Sequence, residues 1–222
     1  MITLYFMEID DKEDSLILQE FLPLISPEKQ QSIGRMRFAM DKKLHVYSEV
    51  LLRALACEAL SVRNQDIQFA VNNFGKPYLL NAPSFHFNIS HTRSAFVAAV
   101  GDSPLGVDIE KINKADPDVA GKVFTADEYD YVFSSDDSKD IRFNEVWTKK
   151  ESYVKWTGEG WSSDPFKIDV LSELIALQTA ALKINGYVIS ICSDTLNNYP
   201  EIIQIREKDL LERVNNSIVH AG

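Results

Sequence analysis

The segment GVDIE at residues 106–110 carries two acids, Asp108 and Glu110, two positions apart. If this segment forms a β-strand, both carboxylates leave the same face, because successive side chains of a strand point to opposite faces. Adjacent carboxylates repel each other unless a cation joins them. A hard divalent ion such as Mg²⁺ binds such oxygens together with water and substrate phosphates. On spacing alone the alternative, a solvated acid pair on an edge strand, is the commoner case.

A second candidate segment, WTKKESYVK at residues 147–155, predicts a helix with Trp147, Glu151 and Lys155 along one stripe. Residues four apart share a helix face, so this carboxylate and this ammonium group lie one turn apart. A weak surface ion pair is the usual explanation of such a spacing. The stripe is equally compatible with a third metal-binding carboxylate beside a cation that reads a phosphate, and the residue types do not choose between the two.

A third candidate combines Gly75, Lys76 and Pro77 with Ser90 and His91. Glycine lets the backbone approach a ligand closely, and proline after lysine keeps a loop extended and rigid. Ser90 and His91 offer a hydroxyl and an imidazole at the end of a predicted strand, where ligand contacts are frequent. A histidine with a purely structural role is the commoner case for a single such residue, so this alternative stays open.

The elements that must position these residues are strands and helices in alternation. Ser26 followed by Pro27 is a helix start, and Thr125 with Glu128 matches a capping box. Apolar residues spaced by three and four predict a helix over 41–60. Further helices are predicted over 140–156 and near the C-terminus, with a tight hairpin at Asn185-Gly186. The predicted strands cover residues 2–9, 67–71, 85–89, 95–100, 105–110, 167–171, 174–184, 187–193 and 201–205.

This order of strand, helices and strands runs twice, with the seam near residues 101–104. We therefore predict an α+β fold of two similar halves, residues 1–102 and 103–222.

Composition excludes several classes of protein. The net charge of −10 argues against a general nucleic-acid binder, because phosphate backbones require a basic face. No apolar run approaches the roughly 20 residues that cross a bilayer, and the N-terminus lacks the features of a signal peptide. Cys57 and Cys192 have no metal-binding spacing, and the apolar helical surroundings of Cys57 predict a reduced, buried thiol. We expect a cytoplasmic protein with no nucleic-acid or membrane partner.

Taken together, the candidate segments occur in the order FGKPYL, FNISHT, GVDIE and WTKKESYVK. With these gaps they resemble the motif set of the Sfp-type 4'-phosphopantetheinyl transferases. The resemblance covers about residues 74–160, and the run Ser26 to Lys29 is similar to an upstream segment of the family. The C-terminal strands lie outside it.

The resemblance implies a pseudo-dimer of two similar α+β halves with the active site in the cleft between them. It implies that Asp108, Glu110 and Glu151 bind Mg²⁺, which bridges to the pyrophosphate of the co-substrate coenzyme A. Lys155 would hold a phosphate oxygen and, with Asp108 and Glu151, would be catalytic. The residues implied at the adenine and 3'-phosphate end of coenzyme A are Lys29, Gly75, Lys76, Pro77, Ser90 and His91.

The implied reaction is attack by a serine hydroxyl of an acyl or peptidyl carrier protein on the β-phosphate of coenzyme A. The product 3',5'-ADP leaves, and Glu151, or a water that it orients, accepts the serine proton. Mg²⁺ and Lys155 would neutralise the phosphates locally, so a polyanionic substrate is compatible with an acidic protein. Relatives serve fatty-acid, polyketide or nonribosomal-peptide carriers, and nothing in this chain names the carrier. We expect a monomer, since two halves in one chain already build a complete cleft.

The chain departs from the family pattern at two positions. Ser32 stands where some relatives carry a second lysine, and Leu44 stands where an arginine is frequent, with His45 beside it as a substitute contact for the 3'-phosphate. Glu128 stays open between a functional acid and the capping partner of Thr125.

Two other functions stay open as alternatives. A non-catalytic binding module of this fold would be signalled by loss of a carboxylate, and a Mg²⁺-dependent nucleotide hydrolase would need no carrier acceptor. A two-carboxylate glycosidase does not fit, because acids two apart on one strand are too close to flank a sugar at the required separation of about 5–9 Å.

Overall fold

The computed structural model describes residues 1–9, 15–162, 164–176, 178–196 and 199–219. Within these ranges the strands are β1 (Ile2–Glu8), β2 (Phe69–Val71), β3 (Pro77–Leu79), β4 (His86–Thr92), β5 (Ala95–Gly101), β6 (Gly106–Lys111), β7 (Thr179–Ile184), β8 (Tyr187–Cys192) and β9 (Glu201–Gln204). The α-helices are α1 (Ser15–Phe21), α2 (Pro27–Gly34), α3 (Ala39–Leu60), α4 (Pro117–Val123), α5 (Ala126–Phe133), α6 (Lys139–Thr157), α7 (Glu173–Ala176) and α8 (Glu207–Val214).

The first sheet has the strand order β4-β5-β1-β9. Strand β1 is apolar almost throughout because both of its faces are buried: Tyr5 and Met7 pack in the core beneath α3, whereas Leu4 and Phe6 face the second sheet. An apolar run without alternation is the expected pattern for a strand covered on two sides.

The second sheet has the order β6-β8-β7 and packs against α6. Its β7–β8 hairpin turns at Asn185 and Gly186, which have φ angles of 50° and 80°. Two consecutive positive φ angles define the type I′ turn that Asn-Gly favours, so the hairpin prediction is confirmed.

The two sheets share one connection pattern. In the first half, β1 pairs antiparallel with β5, and β5 pairs antiparallel with β4. In the second half, β6 pairs antiparallel with β8, and β8 pairs antiparallel with β7. The inward faces of both sheets form a common core. The chain therefore has the predicted α+β architecture of two similar halves.

The C-terminal segment returns to the first half. Strand β9 pairs parallel with β1, and Ile205, Leu210 and Val214 join the core beneath α3. The division at residues 102/103 stays a prediction, but the last strand and helix of the second segment pack on the first.

The region between α6 and β7 differs from the sequence prediction. The strand predicted over 167–171 is wrong: Pro165–Lys167 forms a 3₁₀ turn capped by Asp164. Ile168 and Val170 show the alternation of a strand because both side chains are buried in the core formed with α4, α5 and α6. The Val170 N–H, however, donates to the Glu128 carboxylate and not to a neighbouring strand. The strand predicted from 174 begins at Thr179, after the short helix α7.

Other elements were not predicted, namely α1, α4 and β3. Both cysteines are free and buried, as expected for Cys57. Among the described residues, no helix is long and apolar enough to cross a membrane.

Candidate active site

A cluster of charged side chains lies at the seam between the two halves, where β4 runs beside β6. The Val107 N–H donates to Asn88 Oδ1 at 2.9 Å, and Ser90 Oγ donates to Asp108 Oδ1 at 2.8 Å. Val107 and Ile109 point into the common core. Asp108 and Glu110 therefore leave the opposite face of β6, toward α6.

Helix α6 reaches this cluster because β6 begins with a glycine. A Cβ atom at Gly106 would lie 2.1 Å from the Ser152 carbonyl oxygen and 2.3 Å from the Trp156 nitrogen, both backbone atoms of α6. Only a residue without a side chain permits this approach. The strand and the helix thereby bring the acids of GVDIE within reach of Lys155.

Asp108, Ser90 and Lys155 form a closed triangle of polar contacts. Lys155 Nζ lies 2.6 Å from Asp108 Oδ1 and donates to Ser90 Oγ at 2.9 Å. The other carboxylate oxygen, Asp108 Oδ2, is buried and has no hydrogen-bond partner among the described residues. An unpaired buried oxygen of a carboxylate is costly, so a cation or a water molecule beside this atom would stabilise it.

The two glutamates of the cluster are held at raised pKa values. Burial raises the pKa of Glu110 to about 7, and the Asp108 carboxylate adds to the rise, while a hydrogen bond from Trp147 and the Lys155 ammonium oppose it. Burial and Asp108 likewise raise the pKa of Glu151. The indole N–H of Trp161 donates to Glu151 Oε1 at 3.2 Å. The acids therefore repel one another, and a cation among them would relieve the repulsion.

The donor set fits a hard divalent cation. Within the described ranges, no three acidic, histidine or cysteine side chains converge into a ready-made metal cage. Mg²⁺ does not need one, since it is usually held by one or two carboxylates and completes its shell with water and substrate phosphates. The free oxygen of Asp108 and the neighbouring carboxylates of Glu110 and Glu151 supply the oxygen chemistry that such an ion requires.

A cavity of about 940 Å³ opens between the α2–α3 region, β4 and the β2–β3 hairpin. Such a volume is large enough for a nucleotide-sized ligand. Its lining includes five of the residues expected at coenzyme A, namely Lys29, His45, Gly75, Pro77 and His91. Its apolar lining includes Leu52, Ile67, Phe69, Phe87 and Ile89.

The histidines of this cavity form a pair. The His45 and His91 rings meet edge to face with centroids 4.8 Å apart. Burial lowers the pKa of His45 to about 4, helped by His91 and by Lys29, and desolvation lowers the pKa of His91 as well. Lys29 Nζ lies 3.8 Å from Glu49 Oε2. An entering phosphate would meet two uncharged imidazoles that gain a proton more easily once an anion is beside them.

The structure explains one departure from the family pattern. Leu44 is 3% exposed and packs in the core, so this position cannot reach the cavity, whereas the next residue, His45, lines it. Ser32 also lines the cavity.

Two residues expected at coenzyme A lie elsewhere. Ser90 belongs to the acid triangle, on the face of β4 opposite His91. Lys76 does not line the large cavity: its Nζ donates to the carbonyls of Leu105 and Trp156, each at 3.1 Å. Their roles toward coenzyme A stay predictions.

Glu128 lies outside the cluster, fully buried among the helices of the second half. It completes the capping box of α5 with Thr125, pairs with Lys150 Nζ at 2.8 Å and accepts the Val170 N–H at 2.8 Å. These contacts use both of its oxygens, and they support the structural alternative for this residue.

Sequence reasoning assigned no role to Trp161 and Asn72, both of which contact functional elements. Trp161 follows α6 without any periodic signal, so only the fold brings it to Glu151. Asn72 follows β2, and the bond from its Nδ2 to the Gly158 carbonyl, at 2.8 Å, joins positions that are 86 apart in the sequence, so no local pattern indicates it.

Comparison with known proteins places this chain in a class of group-transfer enzymes. The family description "4'-phosphopantetheinyl transferase, N-terminal" matches residues 13–103, and "4'-phosphopantetheinyl transferase superfamily" matches residues 104–200. The chain is therefore a member of the phosphopantetheinyl transferase superfamily.

Individual relatives narrow the class. The chain is 36% identical over 155 residues to the 4'-phosphopantetheinyl transferase psf-1 of Bacillus pumilus, covering 69% of this chain and 66% of the relative. It is 33% identical over 161 residues to gsp of Aneurinibacillus migulanus, covering 72% and 67%. It is 32% identical over 145 residues to Sfp of Bacillus subtilis strain 168, covering 65% of each protein. The chain thus spans about two thirds of the length of these curated relatives, and it belongs to the Sfp-type 4'-phosphopantetheinyl transferase family.

Proposed function

We propose that this protein transfers the 4'-phosphopantetheine group of coenzyme A to a serine of an acyl or peptidyl carrier protein and releases 3',5'-ADP. Such an enzyme is a holo-[carrier protein] synthase. The observation that carries the proposal is the unpartnered Asp108 Oδ2 within a cluster of three carboxylates and one lysine. Ser90 and His91, adjacent on β4, reach this cluster and the nucleotide-sized cavity respectively, so one strand links the two sites.

Asp108, Glu110 and Glu151 are the residues that would hold Mg²⁺. When bound, Mg²⁺ supplies positive charge beside the pyrophosphate oxygens, where negative charge grows during phosphoryl transfer. The raised pKa values of both glutamates support this assignment, because they report carboxylates that are buried near like charges without enough compensating cation.

Lys155 orients the transferring group. Its ammonium lies against Asp108 and Ser90 and is therefore held in one place at the seam. A phosphate oxygen at this position would receive a charge-assisted hydrogen bond from Nζ, which fixes the phosphorus for in-line attack.

Glu151 accepts the proton of the carrier serine. In the step, the serine Oγ forms a bond to the β-phosphorus, the bond from that phosphorus to the oxygen of 3',5'-ADP breaks, and the hydroxyl proton passes to Glu151 or to a water that it orients. Burial raises the pKa of Glu151, which makes it a better proton acceptor than an exposed carboxylate. Trp161 fixes one oxygen of this carboxylate.

We propose further that the enzyme works as a monomer in the cytoplasm, without nucleic-acid or membrane partners. Both halves of one chain contribute to the site, and the net charge of −10 opposes attraction to polyanionic surfaces. Carrier proteins that serve fatty-acid, polyketide or nonribosomal-peptide synthesis are the candidate acceptors.

Mass spectrometry of an apo carrier protein incubated with coenzyme A and Mg²⁺ tests the function. We expect a gain of one phosphopantetheine mass that disappears with a chelator and in Glu151→Gln. The matched control is Glu145→Gln, which alters an acid on the same helix that pairs with Lys183 at 3.1 Å. Bound coenzyme A without any mass gain across several carriers would favour the binding-module alternative. Release of 3',5'-ADP without a carrier would favour the hydrolase.

A further inference from the structure

The turn between β2 and β3 is built around one asparagine. Asn72 Oδ1 accepts the backbone N–H groups of Phe74 and Lys76, each at 2.9 Å, and the Asn72 N–H donates to the Lys76 carbonyl at 3.0 Å. Gly75 has a φ of 87°, which this closed turn requires. The turn is therefore a rigid unit rather than an open loop.

The side chains of Asn72 and Lys76, both in this turn, reach across the seam to the C-terminal end of α6. Asn72 Nδ2 donates to the Gly158 carbonyl at 2.8 Å, and Lys76 Nζ donates to the Trp156 carbonyl at 3.1 Å. The last carbonyls of a helix have no partners within the helix, and a cation at this end is favoured by the helix dipole. The turn thus caps α6 from the other half of the molecule.

Lys76 also holds β6. Its Nζ donates to the Leu105 carbonyl, which directly precedes Gly106. One ammonium group therefore joins the start of the strand that carries Asp108 to the end of the helix that carries Lys155. Burial lowers the pKa of Lys76 to about 8, as expected for a cation removed from water and compensated mainly by carbonyl dipoles.

The opposite side of the turn faces the nucleotide-sized cavity, which Gly75 and Pro77 line. A ligand in the cavity would press on a rigid turn whose side chains hold both elements of the acid cluster. We propose that Lys76, together with Asn72, is a positioning residue that couples occupation of the cavity to the geometry of the acid cluster. In this role Lys76 acts through Lys155 and Asp108 and does not itself bind the nucleotide.

Steady-state kinetics with Lys76→Met separates positioning from binding; this arm rests on the proposed function. We expect kcat to fall about 10- to 100-fold, because a misplacement of about 1 Å can cost a hundredfold in rate, while KM for coenzyme A changes less than about twofold. Lys139→Met is the matched control: it removes a lysine from the opposite end of α6, where Nζ pairs with the exposed Asp136 at 2.7 Å. A rise in KM with unchanged kcat would overturn the proposal and make Lys76 a nucleotide ligand.

Hydrogen exchange tests the coupling between the cavity and α6 without requiring transferase activity. We expect 3',5'-ADP to slow amide exchange at residues 155–158 in the unaltered protein and in Lys139→Met, but not in Lys76→Met, with binding retained in all three. Equal protection in all three, or loss of 3',5'-ADP binding in Lys76→Met alone, would overturn the coupling. If the unaltered protein transfers nothing yet shows this pattern, the proposed function fails and the coupling stands.

A second variant keeps the test valid if Lys76→Met does not fold. Asn72→Ala removes the bond to Gly158 and leaves the ammonium in place, so the same uncoupling of α6 from 3',5'-ADP is expected at a smaller amplitude. If Lys76→Met does not fold, and if 3',5'-ADP still slows amide exchange at residues 155–158 fully in a folded Asn72→Ala, the inference is contradicted.

Discussion

The close approach of α6 to β6 at Gly106 makes Gly106→Ala a direct test of how the acid cluster is assembled. The added Cβ would lie 2.1 Å from the Ser152 carbonyl oxygen, 2.3 Å from the Trp156 nitrogen and 2.8 Å from the Lys155 carbonyl carbon. All three are backbone atoms, so no side chain can rotate away. The φ of Gly106 does not lie in the left-handed region, so the whole effect comes from this overlap.

The stability cost of Gly106→Ala follows from the distance by which β6 and α6 must move apart to accept the new Cβ. Ordinary contacts of a Cβ begin near 3.4 Å, so relieving a 2.1 Å contact requires β6 and α6 to separate by about 1.3 Å. Overpacking of a core costs about 1–3 kcal/mol, and rigid backbone on the opposing side places this case near 3 kcal/mol. The melting temperature should then fall by about 6–12 °C. The contact between Lys155 and Asp108 is displaced with the helix, so kcat should fall by about a hundredfold.

Thermal unfolding and the steady-state rate of transfer to an apo carrier protein measure the two effects on the same sample. Gly121→Ala is the matched control, because a Cβ there meets nothing within 4 Å and Gly121 lies within α4. This control should raise stability by about 0.5–1 kcal/mol, since alanine is the better helix former. A Gly106→Ala protein with unchanged melting temperature and unchanged transfer rate would refute the argument that this glycine sets the position of α6.

Three further predictions concern stability. Lys150→Met should lower the free energy of unfolding in urea by about 3–5 kcal/mol, because it leaves the Glu128 carboxylate buried without its cation. Adding Glu128→Leu should recover part of this loss. A loss below about 1 kcal/mol in the single variant would contradict the prediction. The pKa of His45 is about 4 in the fold and 6.5 when unfolded, so the unfolded state binds the extra proton and stability should fall as the pH drops from about 6.5 to 4. The loss should be on the order of 1–2 kcal/mol after screening by water. It should be smaller in His45→Gln, where the lowered pKa of His91 still contributes, and smaller with 3',5'-ADP bound; an equal loss in His45→Gln would contradict the assignment. Gly186→Ala should cost about 1 kcal/mol in thermal unfolding, entirely from strain at φ 80°, because its Cβ meets no neighbour; no change would contradict the turn type.

Local signals in the sequence predicted local structure well. Ser26 accepts the Lys29 N–H, and Thr125 and Glu128 form the reciprocal bonds of a capping box, as their spacing indicated. The hairpin at Asn185 was equally clear. Such signals suffice because the partner atoms lie within a few residues of each other, so the sequence contains the whole interaction.

Local sequence patterns did not predict the structure where the hydrogen-bond partners lie far apart in the sequence. The alternation of Ile168 and Val170 indicated a strand, but the backbone there is satisfied by the Glu128 side chain, 42 positions away. The Lys76 ammonium likewise contacts carbonyls 29 and 80 positions away, and no sequence pattern indicated these two bonds. No period or motif encodes a bond between a side chain and a remote carbonyl, so these features require the fold.

The candidate site draws on both halves of the chain. The first half supplies the cavity and Ser90, and the second supplies the acids of β6 and α6, so neither half alone contains a complete site. Strand β9 then returns to pair with β1, and α8 packs beneath α3. Separating the segments 1–102 and 103–222 would leave β1 without its parallel neighbour and would expose the apolar residues of α8. The C-terminal segment is therefore part of the core of the first half, whereas the contact between Ser90 and Asp108 is made where β4 runs beside β6.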